Sequence, residues 1–142
     1  MKKILVTGGL GFIGSHTVVE LQNEGYEVLI IDNLSNSSIE VLDRITSITG
    51  KEPIYENIDL KDQKDIKNFF NTHTNIEGVI HFAASKAVGE SVEKPLEYYH
   101  NNISSLLYLL EEMNCNSVSN LIFSSSCTVY GVADELPISA VW

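Results

Sequence analysis

Short apolar runs alternate along the chain with stretches whose apolar residues recur at a helical period. Runs of this length, bounded by polar or turn-forming residues, indicate buried parallel strands. The predicted strands cover residues 4–6, 28–31, 53–58, 77–82 and 120–123. The predicted helices cover residues 12–21, 38–50 and 62–72, and a fourth begins at Pro95. These alternations predict an α/β fold, a doubly wound parallel sheet with helices on both faces and strand order 3-2-1-4-5.

The helix predicted from Pro95 carries an apolar stripe with a polar interruption. Proline suits the first turn of a helix, and apolar residues at helical spacing predict a buried face. The stripe consists of Leu96, Tyr99, Ile103, Leu106, Leu107 and Leu110. Asn101 and Asn102 interrupt it, and polar groups that face a sheet need partners. We therefore expect one of these asparagines to reach back to a strand-end loop or to a cofactor.

The composition is typical of a soluble globular domain. The chain has 142 residues, 44% hydrophobic and 20% charged, which is enough for one domain with its own core. A net charge of −10 argues against nucleic acid or an anionic membrane as a partner, and no apolar window is long enough to span a membrane. We expect no signal peptide, because the first strand begins so early. Cys115 and Cys127 lack the spacing of a metal site or disulfide framework, so the expected compartment is cytoplasmic.

A glycine-rich turn joins the first strand to the first helix. Gly8, Gly11 and Gly14 stand three residues apart. The first allows a tight turn, the second lets backbone approach a ligand, and the third lets the helix pack against the strand. A helix that begins there directs unpaired N–H groups and its positive dipole end at the loop, which suits a pyrophosphate. The alternative is a plain turn, but the strand before and the helix after favour a Rossmann-like dinucleotide site.

Acidic residues end the second and third predicted strands. Asp32 follows the glycine loop at the spacing of the dinucleotide fingerprint, where a carboxylate accepts the ribose hydroxyls of adenosine and repels a 2′-phosphate. This position favours NAD over NADP, and the alternative is a solvated strand-end acid. Asp59 and Leu60 lie where open α/β sheets bind ligands. Asp59 either contacts the adenine or caps the next helix.

The ends of the fourth and fifth predicted strands carry further candidates. His81 has apolar neighbours, so a hydrogen-bonded structural histidine is favoured over an acid or base. Small side chains at residues 83–85 leave space for a flat cofactor, and Lys86 is either a phosphate ligand or an exposed lysine. Ser126 closes a run of three serines after the fifth strand, which favours a ligand contact over a polar turn.

Several motifs together resemble the extended short-chain dehydrogenase/reductase superfamily. They are Thr7-Gly8-Gly9-x-Gly11-x-x-Gly14, Asp32-Asn33-Leu34, His81-Phe82-Ala83-Ala84 and Ser124-Ser125-Ser126-x-Thr128-Val129-Tyr130-Gly131. Within that superfamily, the stretch from Lys86 to Asn102 resembles the UDP-glucose 4-epimerase family. The glycine motif is shared by many relatives, whereas the Lys86 stretch is far more selective.

The resemblance implies tightly bound NAD and a UDP-hexose substrate. In such epimerases a tyrosine base takes the proton of the sugar 4-hydroxyl, the C4 hydride passes to the nicotinamide, and the 4-keto sugar turns over before the hydride returns. Ser126 would bind the reacting oxygen of the sugar, as a catalytic and substrate-binding residue. The implied cofactor-binding residues are Gly8, Gly11, Phe12, Ile13, Gly14, Asp32, Asn33, Leu34, Ser35, Asn36, Ser37, Asp59, Leu60, Phe82, Ala83, Ala84, Ser85, Lys86 and Asn101.

The sequence departs from the family at its catalytic motif. The family's Tyr-x-x-x-Lys, whose lysine lowers the tyrosine pKa, is absent, and Tyr130 has Asp134 four residues later. The resemblance therefore implies that residues 1–142 are an incomplete NAD-binding domain, truncated after the fifth strand and without the substrate domain. We expect this chain alone not to epimerise. It also implies a homodimer through the helix from Pro95. The alternatives are a sugar-nucleotide dehydratase or decarboxylase, or a non-catalytic NAD-binding module.

Overall fold

Five strands and six helices form the part of the chain that the computed structural model describes, which is residues 2–85 and 88–125. The strands are β1 (Lys3–Thr7), β2 (Glu27–Ile31), β3 (Ile54–Glu56), β4 (Ile76–His81) and β5 (Asn120–Phe123). The helices are α1 (Phe12–Asn23), α2 (Glu40–Thr49), α3 (Gln63–Thr72), α4 (Val88–Glu93), α5 (Pro95–Tyr99) and α6 (Ser105–Cys115), with a π-helical turn (His100–Ser104) between the last two. None of the helices in these ranges is long and apolar enough to cross a membrane.

All five strands are parallel, and their order across the sheet is β3-β2-β1-β4-β5. This order confirms the predicted fold class. The register places the carboxyl ends of the strands in one row. Across that row, each residue pairs with the next in the order Glu56, Ile31, Thr7, His81, Phe123. Residues that follow the strands therefore emerge side by side at one edge of the sheet.

Helices cover both faces of the sheet, and each face has its own core. Successive side chains of a strand point to opposite faces, so Leu5 and Val6 of β1 belong to different cores, and both are fully buried. The Leu5 core packs α3 and α6 through residues such as Phe69 and Leu109, whereas the Val6 core packs α1 and α2 through Val18 and Ile45. This two-sided burial explains why the strands are continuous apolar runs.

The structure tests one of the two interpretations of Asp59, namely that it caps the helix after β3. Helix α3 begins after Asp62, whose carboxylate accepts hydrogen bonds from the backbone N–H groups of Lys64 (2.9 Å) and Asp65 (3.3 Å). Among the bonds described, the Asp59 carboxylate accepts a backbone hydrogen bond only from the Lys61 N–H, at 2.9 Å, and the Asp62 N–H donates to the Asp59 carbonyl oxygen instead. The cap is therefore Asp62, and Asp59 as the cap of this helix is wrong.

The long helix from Pro95 is present, but the prediction that its apolar stripe is buried is wrong. Five stripe residues are exposed, with fractions that run from 76% at Leu96 to 37% at Leu110. The buried face instead carries Ser105, Leu109 and Met113. The reason lies at the polar interruption, where both asparagines bind the loop after β4 and turn their own face toward the sheet.

Candidate functional site

A cavity of about 720 Å³ opens at the carboxyl edge of the sheet, above the ends of β1, β2 and β4. Its walls are formed by the glycine loop and α1 and by the segments that follow β2, β3 and β4. The lining residues are Gly8, Gly11, Phe12, Ile13, Gly14, Ile31, Asp32, Asn33, Ser35, Asn36, Ser37, Ile58, Asp59, Leu60, Phe82, Ala83, Ala84, Ser85, Asn101 and Ser105. The position is the topological switch point of the sheet, where ligands bind in this fold class.

The glycine loop is shaped by close backbone contacts that leave no room for a Cβ atom. Gly8 has a φ of +67°, and a Cβ there would lie 2.9 Å from the Ala83 nitrogen. A Cβ on Gly14 would lie 2.2 Å from the Gly8 carbonyl oxygen. The third glycine therefore lets α1 approach the turn itself, rather than the strand as the sequence suggested. The result is a backbone that a ligand can reach closely.

The amino terminus of α1 faces this cavity with its donors uncommitted to side chains. Gly11 is the N-cap, no side chain caps the helix, and the first turn has no acidic residue. The first N–H groups of a helix lack internal partners, and the helix dipole adds partial positive charge there. Phe12 and Ile13 line the cavity at this end, and Phe12 is 82% exposed. The local chemistry suits an anion of the pyrophosphate type.

Asp32 ties the glycine loop to the loop after β2. The residue is 8% exposed and lies in the cavity wall. Its Oδ2 accepts from the Leu10 N–H (3.0 Å), and its Oδ1 accepts from the Leu34 N–H (3.0 Å) and from the Ser37 hydroxyl (2.7 Å). Each carboxylate oxygen has more than one lone pair, so Oδ2 keeps capacity for another donor. The acid therefore faces the mouth of the glycine turn.

Tyr55 supports this acid from the neighbouring strand. Its hydroxyl donates to the Asp32 carbonyl oxygen at 3.2 Å. Burial, and after it the Asp32 charge, raises the pKa of Tyr55 above its ordinary value. Tyr55 is therefore a neutral donor at physiological pH. Nothing in the sequence pattern singled out this contact.

Thr7 and His81 hydrogen bond across β1 and β4 directly beneath the cavity. The Thr7 hydroxyl and His81 Nδ1 are 2.7 Å apart, and both residues are buried. Burial lowers the pKa of His81 to about 4, so the ring is neutral at physiological pH. The ring also stacks on Phe123, with centroids 5.7 Å apart. His81 is thus a hydrogen-bonded structural histidine, as the apolar surroundings predicted.

Asn101 and Asn102 both bind Ser85, which follows β4. Ser85 N–H donates to Asn102 Oδ1 (2.8 Å), and Asn102 Nδ2 donates to the Ser85 carbonyl oxygen (3.0 Å). Asn101 Nδ2 donates to the Ser85 hydroxyl (2.8 Å) and to Asn102 Oδ1 (3.1 Å). The expectation that one asparagine reaches back to a strand-end loop is confirmed, and the second does so as well.

The cavity brings together nearly all of the predicted cofactor-binding residues. Leu34 is the exception among those described: it has a φ of +57°, donates to Asp32 and packs against the Val6 core. Lys86 and Ser126 lie outside the described residues. Three lining residues were not predicted, namely Ile31, Ile58 and Ser105. The first two are the last residues of the second and third predicted strands, and that position was the signal that could have identified them.

A dinucleotide fits the donors and acceptors of this cavity. The carboxylate at one end can accept ribose hydroxyls, the bare helix terminus can bind a pyrophosphate, and the small residues Ala83 and Ala84 leave space for a flat ring. The glycine positions, which a Cβ would fill, allow the backbone to approach the phosphates. Among the described residues, no group of three or more His, Cys, Asp or Glu side chains is placed to hold a metal ion.

Comparison with known proteins agrees with this chemistry. UDP-glucose 4-epimerase of Bacillus subtilis is 54% identical over 136 residues, which is 96% of this chain and 40% of that protein. The enzyme of Dictyostelium discoideum is 53% identical over 137 residues, with the same shares of the two chains. The chain thus spans about 40% of the length of the curated relatives it matches.

Solved structures show the same similarity. UDP-glucose 4-epimerase of Bifidobacterium longum, in complex with NAD+ and UDP, has a TM-score of 0.90 and 50% identity, covering 98% of this chain and 41% of that one. The enzyme of Stenotrophomonas maltophila, with bound NAD and formylated UDP-arabinopyranose, has a TM-score of 0.89 and 46% identity, covering 97% and 41%. The model of the NAD dependent epimerase/dehydratase family matches residues 4–141. This chain belongs to the NAD dependent epimerase/dehydratase family.

Proposed function

We propose that residues 1–142 are an NAD-binding domain and supply the cofactor-binding part of a UDP-glucose 4-epimerase. The observation that carries this proposal is the meeting of Asp32 and the glycine loop at one cavity, through the bond from the Leu10 N–H to Asp32 Oδ2 (3.0 Å). The epimerases of Bifidobacterium longum and Stenotrophomonas maltophila, which have this fold, were solved with NAD bound. The family to which this chain belongs is NAD dependent as well.

The cavity orients the cofactor by its chemistry. Asp32 accepts hydroxyls of the adenosine ribose, and its charge disfavours a 2′-phosphate, so NAD is preferred to NADP. The amino terminus of α1 binds the pyrophosphate. β1 lies between β2 and β4, so the remaining half of the dinucleotide extends over Ala83 toward Ser85. NAD bound there would accept the hydride from C4 of the sugar and later return it, by way of a 4-keto sugar.

The substrate side of the proposal rests on the resemblance. Ser126, as the residue that binds the reacting oxygen of a UDP-hexose, and Lys86, beside the cofactor, stay predictions. The sequence of this chain has no Tyr-x-x-x-Lys, so it holds no candidate for a base with a lowered tyrosine pKa. We therefore expect the chain to bind NAD without epimerising UDP-galactose on its own. A cytoplasmic location also stays a prediction.

Calorimetric titration of the purified chain with NAD tests the cofactor proposal. Asp32→Asn keeps the size of the side chain but removes its charge, and we expect NAD affinity to fall by about tenfold or more, because hydrogen bonds to a charged acceptor are the strong ones. The preference for NAD over NADP should narrow in the same variant. Asp43→Asn, on the exposed face of α2, makes the same change of charge away from the cavity and serves as the control. Unchanged NAD affinity in Asp32→Asn would contradict the proposal.

A UDP-galactose turnover assay separates the whole-protein function from a cofactor-binding module. Little or no turnover by this chain, with turnover restored when a segment bearing Tyr-x-x-x-Lys is supplied in the same polypeptide, supports the epimerase. NAD binding without affinity for uridine nucleotides in the restored protein would favour the non-catalytic module instead. Turnover by residues 1–142 alone would refute our expectation that epimerisation requires a Tyr-x-x-x-Lys base.

We also propose that two copies of the chain pair through the exposed stripe on α5, the π-helical turn and α6. Leu96, Tyr99, Ile103, Leu107 and Leu110 recur at helical spacing and remain accessible in the described structure. A contiguous apolar face of this kind marks an interaction surface, and a second copy presents an identical face about a two-fold axis. The oligomeric state in solution tests this pairing.

A further inference from the structure

The amide of Asn102 satisfies both backbone groups of Ser85. The Ser85 N–H donates to Oδ1, and Nδ2 donates to the Ser85 carbonyl oxygen, at 2.8 and 3.0 Å. A backbone donor and a backbone acceptor have fixed identities, so this pair also fixes which way the amide is turned. The side chain thus replaces the neighbouring strand that Ser85 lacks, since β4 ends at His81.

Ser85 is the last residue of the cavity wall formed by residues 82–85, and its hydrogen bonds hold that end of the wall in place. The Phe82 N–H donates to the Thr7 carbonyl oxygen at 3.0 Å, which is the last link between this segment and β1. Within the described ranges, the next hydrogen bonds of the segment are those at Ser85. Residues 82–85 all line the cavity. Asn102 therefore determines where this wall stands relative to the sheet.

The π-helical turn holds Asn102 in place for this task. Single π-helical turns within α-helices occur frequently at functional sites. The turn spans His100–Ser104, and the Ser105 hydroxyl donates to the Asn101 carbonyl oxygen four residues earlier. Asn101 in turn donates to Asn102 Oδ1 (3.1 Å), so the acceptor that receives the Ser85 N–H is held from a second side.

We propose that Asn102 is a positioning residue for the cofactor: it fixes the segment after β4 against which the nicotinamide half of the dinucleotide binds. The inference rests on the proposed NAD site. A wall that is ordered before binding spares the ligand the entropy of ordering it. Asp32 and the glycine loop lie at the other end of the cavity, so the adenosine and pyrophosphate groups should be insensitive to Asn102.

The test compares a ligand that reaches this wall with one that does not. NAD contains both halves, whereas ADP contains only the adenosine and pyrophosphate groups. In Asn102→Asp the acceptor is kept, but an oxygen replaces the donor that faces the Ser85 carbonyl. Asn102→Leu removes both hydrogen bonds without adding charge. Asn114→Asp, at an exposed position of α6, is the matched control for the charge change.

We expect both Asn102 variants to bind NAD about tenfold more weakly than wild type, the loss that corresponds to one or two broken hydrogen bonds. Their ADP affinity should stay within about twofold of wild type, because distant sites act independently. Asn114→Asp should match wild type for both ligands. Equal losses of NAD and ADP affinity would mean that Asn102 only stabilises the fold, and no loss of either would mean that it positions nothing; each result overturns the proposal.

Amide hydrogen exchange of the ligand-free chain separates this inference from the function it rests on. The Ser85 N–H should exchange faster in both Asn102 variants than in wild type and in Asn114→Asp, while the Leu5 N–H in the core should be unaffected. A wild-type chain that bound neither ADP nor NAD would refute the proposed function, yet the exchange experiment would still test the anchoring. Unchanged exchange at Ser85 would overturn it.

Discussion

The close contact between Gly14 and Gly8 gives the sharpest test of how the glycine loop is built. Gly14 lies inside α1, where Gly→Ala ordinarily stabilises a helix by about 0.5–1 kcal/mol. Here the new Cβ would lie 2.2 Å from the Gly8 carbonyl oxygen and 2.9 Å from the Gly9 Cα. Both neighbours are backbone atoms of a tight turn, so no flexible side chain can move aside. Helix and turn must separate by roughly 1 Å to restore van der Waals contact.

The expected cost follows from these two opposing effects. Forced overpacking of this kind costs about 3 kcal/mol, and the gain in helix propensity offsets about 1 kcal/mol of it. Gly14→Ala should therefore lower the free energy of unfolding by about 2 kcal/mol, or lower Tm by about 8 °C for a domain of this size. Because the displaced atoms belong to the Gly8 turn, NAD affinity should fall as well, by about tenfold or more.

Urea unfolding and NAD titration of two variants measure both effects. Gly25→Ala is the control: its φ is +87°, no atom lies within 4 Å of the added Cβ, and it is remote from the cavity. We expect that variant to lose about 1 kcal/mol through backbone strain and to keep its NAD affinity. A Gly14→Ala protein as stable as wild type, or one that loses stability but not NAD affinity, would refute the reasoning.

Three further outcomes follow from contacts described above. In the folded chain His81 stays neutral down to about pH 4, whereas in the unfolded chain it takes up a proton near pH 6.5. The free energy of unfolding should therefore decrease as the pH falls through that range, by at most about 3 kcal/mol. Urea titrations at several pH values should show a shallower pH dependence of this free energy in His81→Asn. Asp62→Ala should cost about 1 kcal/mol in thermal unfolding, because two N–H groups of α3 lose their cap, while Asp59→Ala should cost less. Leu107→Glu should shift a dimer to monomer in light scattering, whereas Ile48→Glu, at an exposed apolar position of α2, should not, and a monomeric wild type would contradict the pairing.

The strands and their order followed from the sequence because each apolar run is bounded by polar or turn-forming residues. β5, at Asn120–Phe123, has its predicted bounds, and Asp32 lies at the cavity its spacing indicated. Both features depend on local sequence and on a strand-end rule that holds throughout this fold class. Leu34 does not line the cavity, because its backbone, with a φ of +57°, places the side chain against the Val6 core.

The features that escaped prediction depend on contacts between distant residues. Helical spacing identified the stripe through Leu107 but could not say which face of the helix would meet the sheet. That choice was made by the bonds from Asn101 and Asn102 to Ser85, some 17 residues away in sequence. Likewise, Tyr55 acts through its hydroxyl on the Asp32 carbonyl, a partner that no strand pattern reveals.

The wide turn at His100–Ser104 makes the length of this helix as important as its composition. An α-helix advances by about 100° per residue. A π-helical turn closes its hydrogen bonds one residue later than an α-helical turn, so it takes up one extra residue and a deletion within it should leave Leu109 and Met113 on the sheet. A deletion from the regular helix between the turn and Leu109 would instead rotate both residues by that angle, away from the sheet. The helix from Pro95 to Cys115 therefore tolerates the loss of one residue at the wide turn, whereas the same loss elsewhere would change which surface the residues after it present.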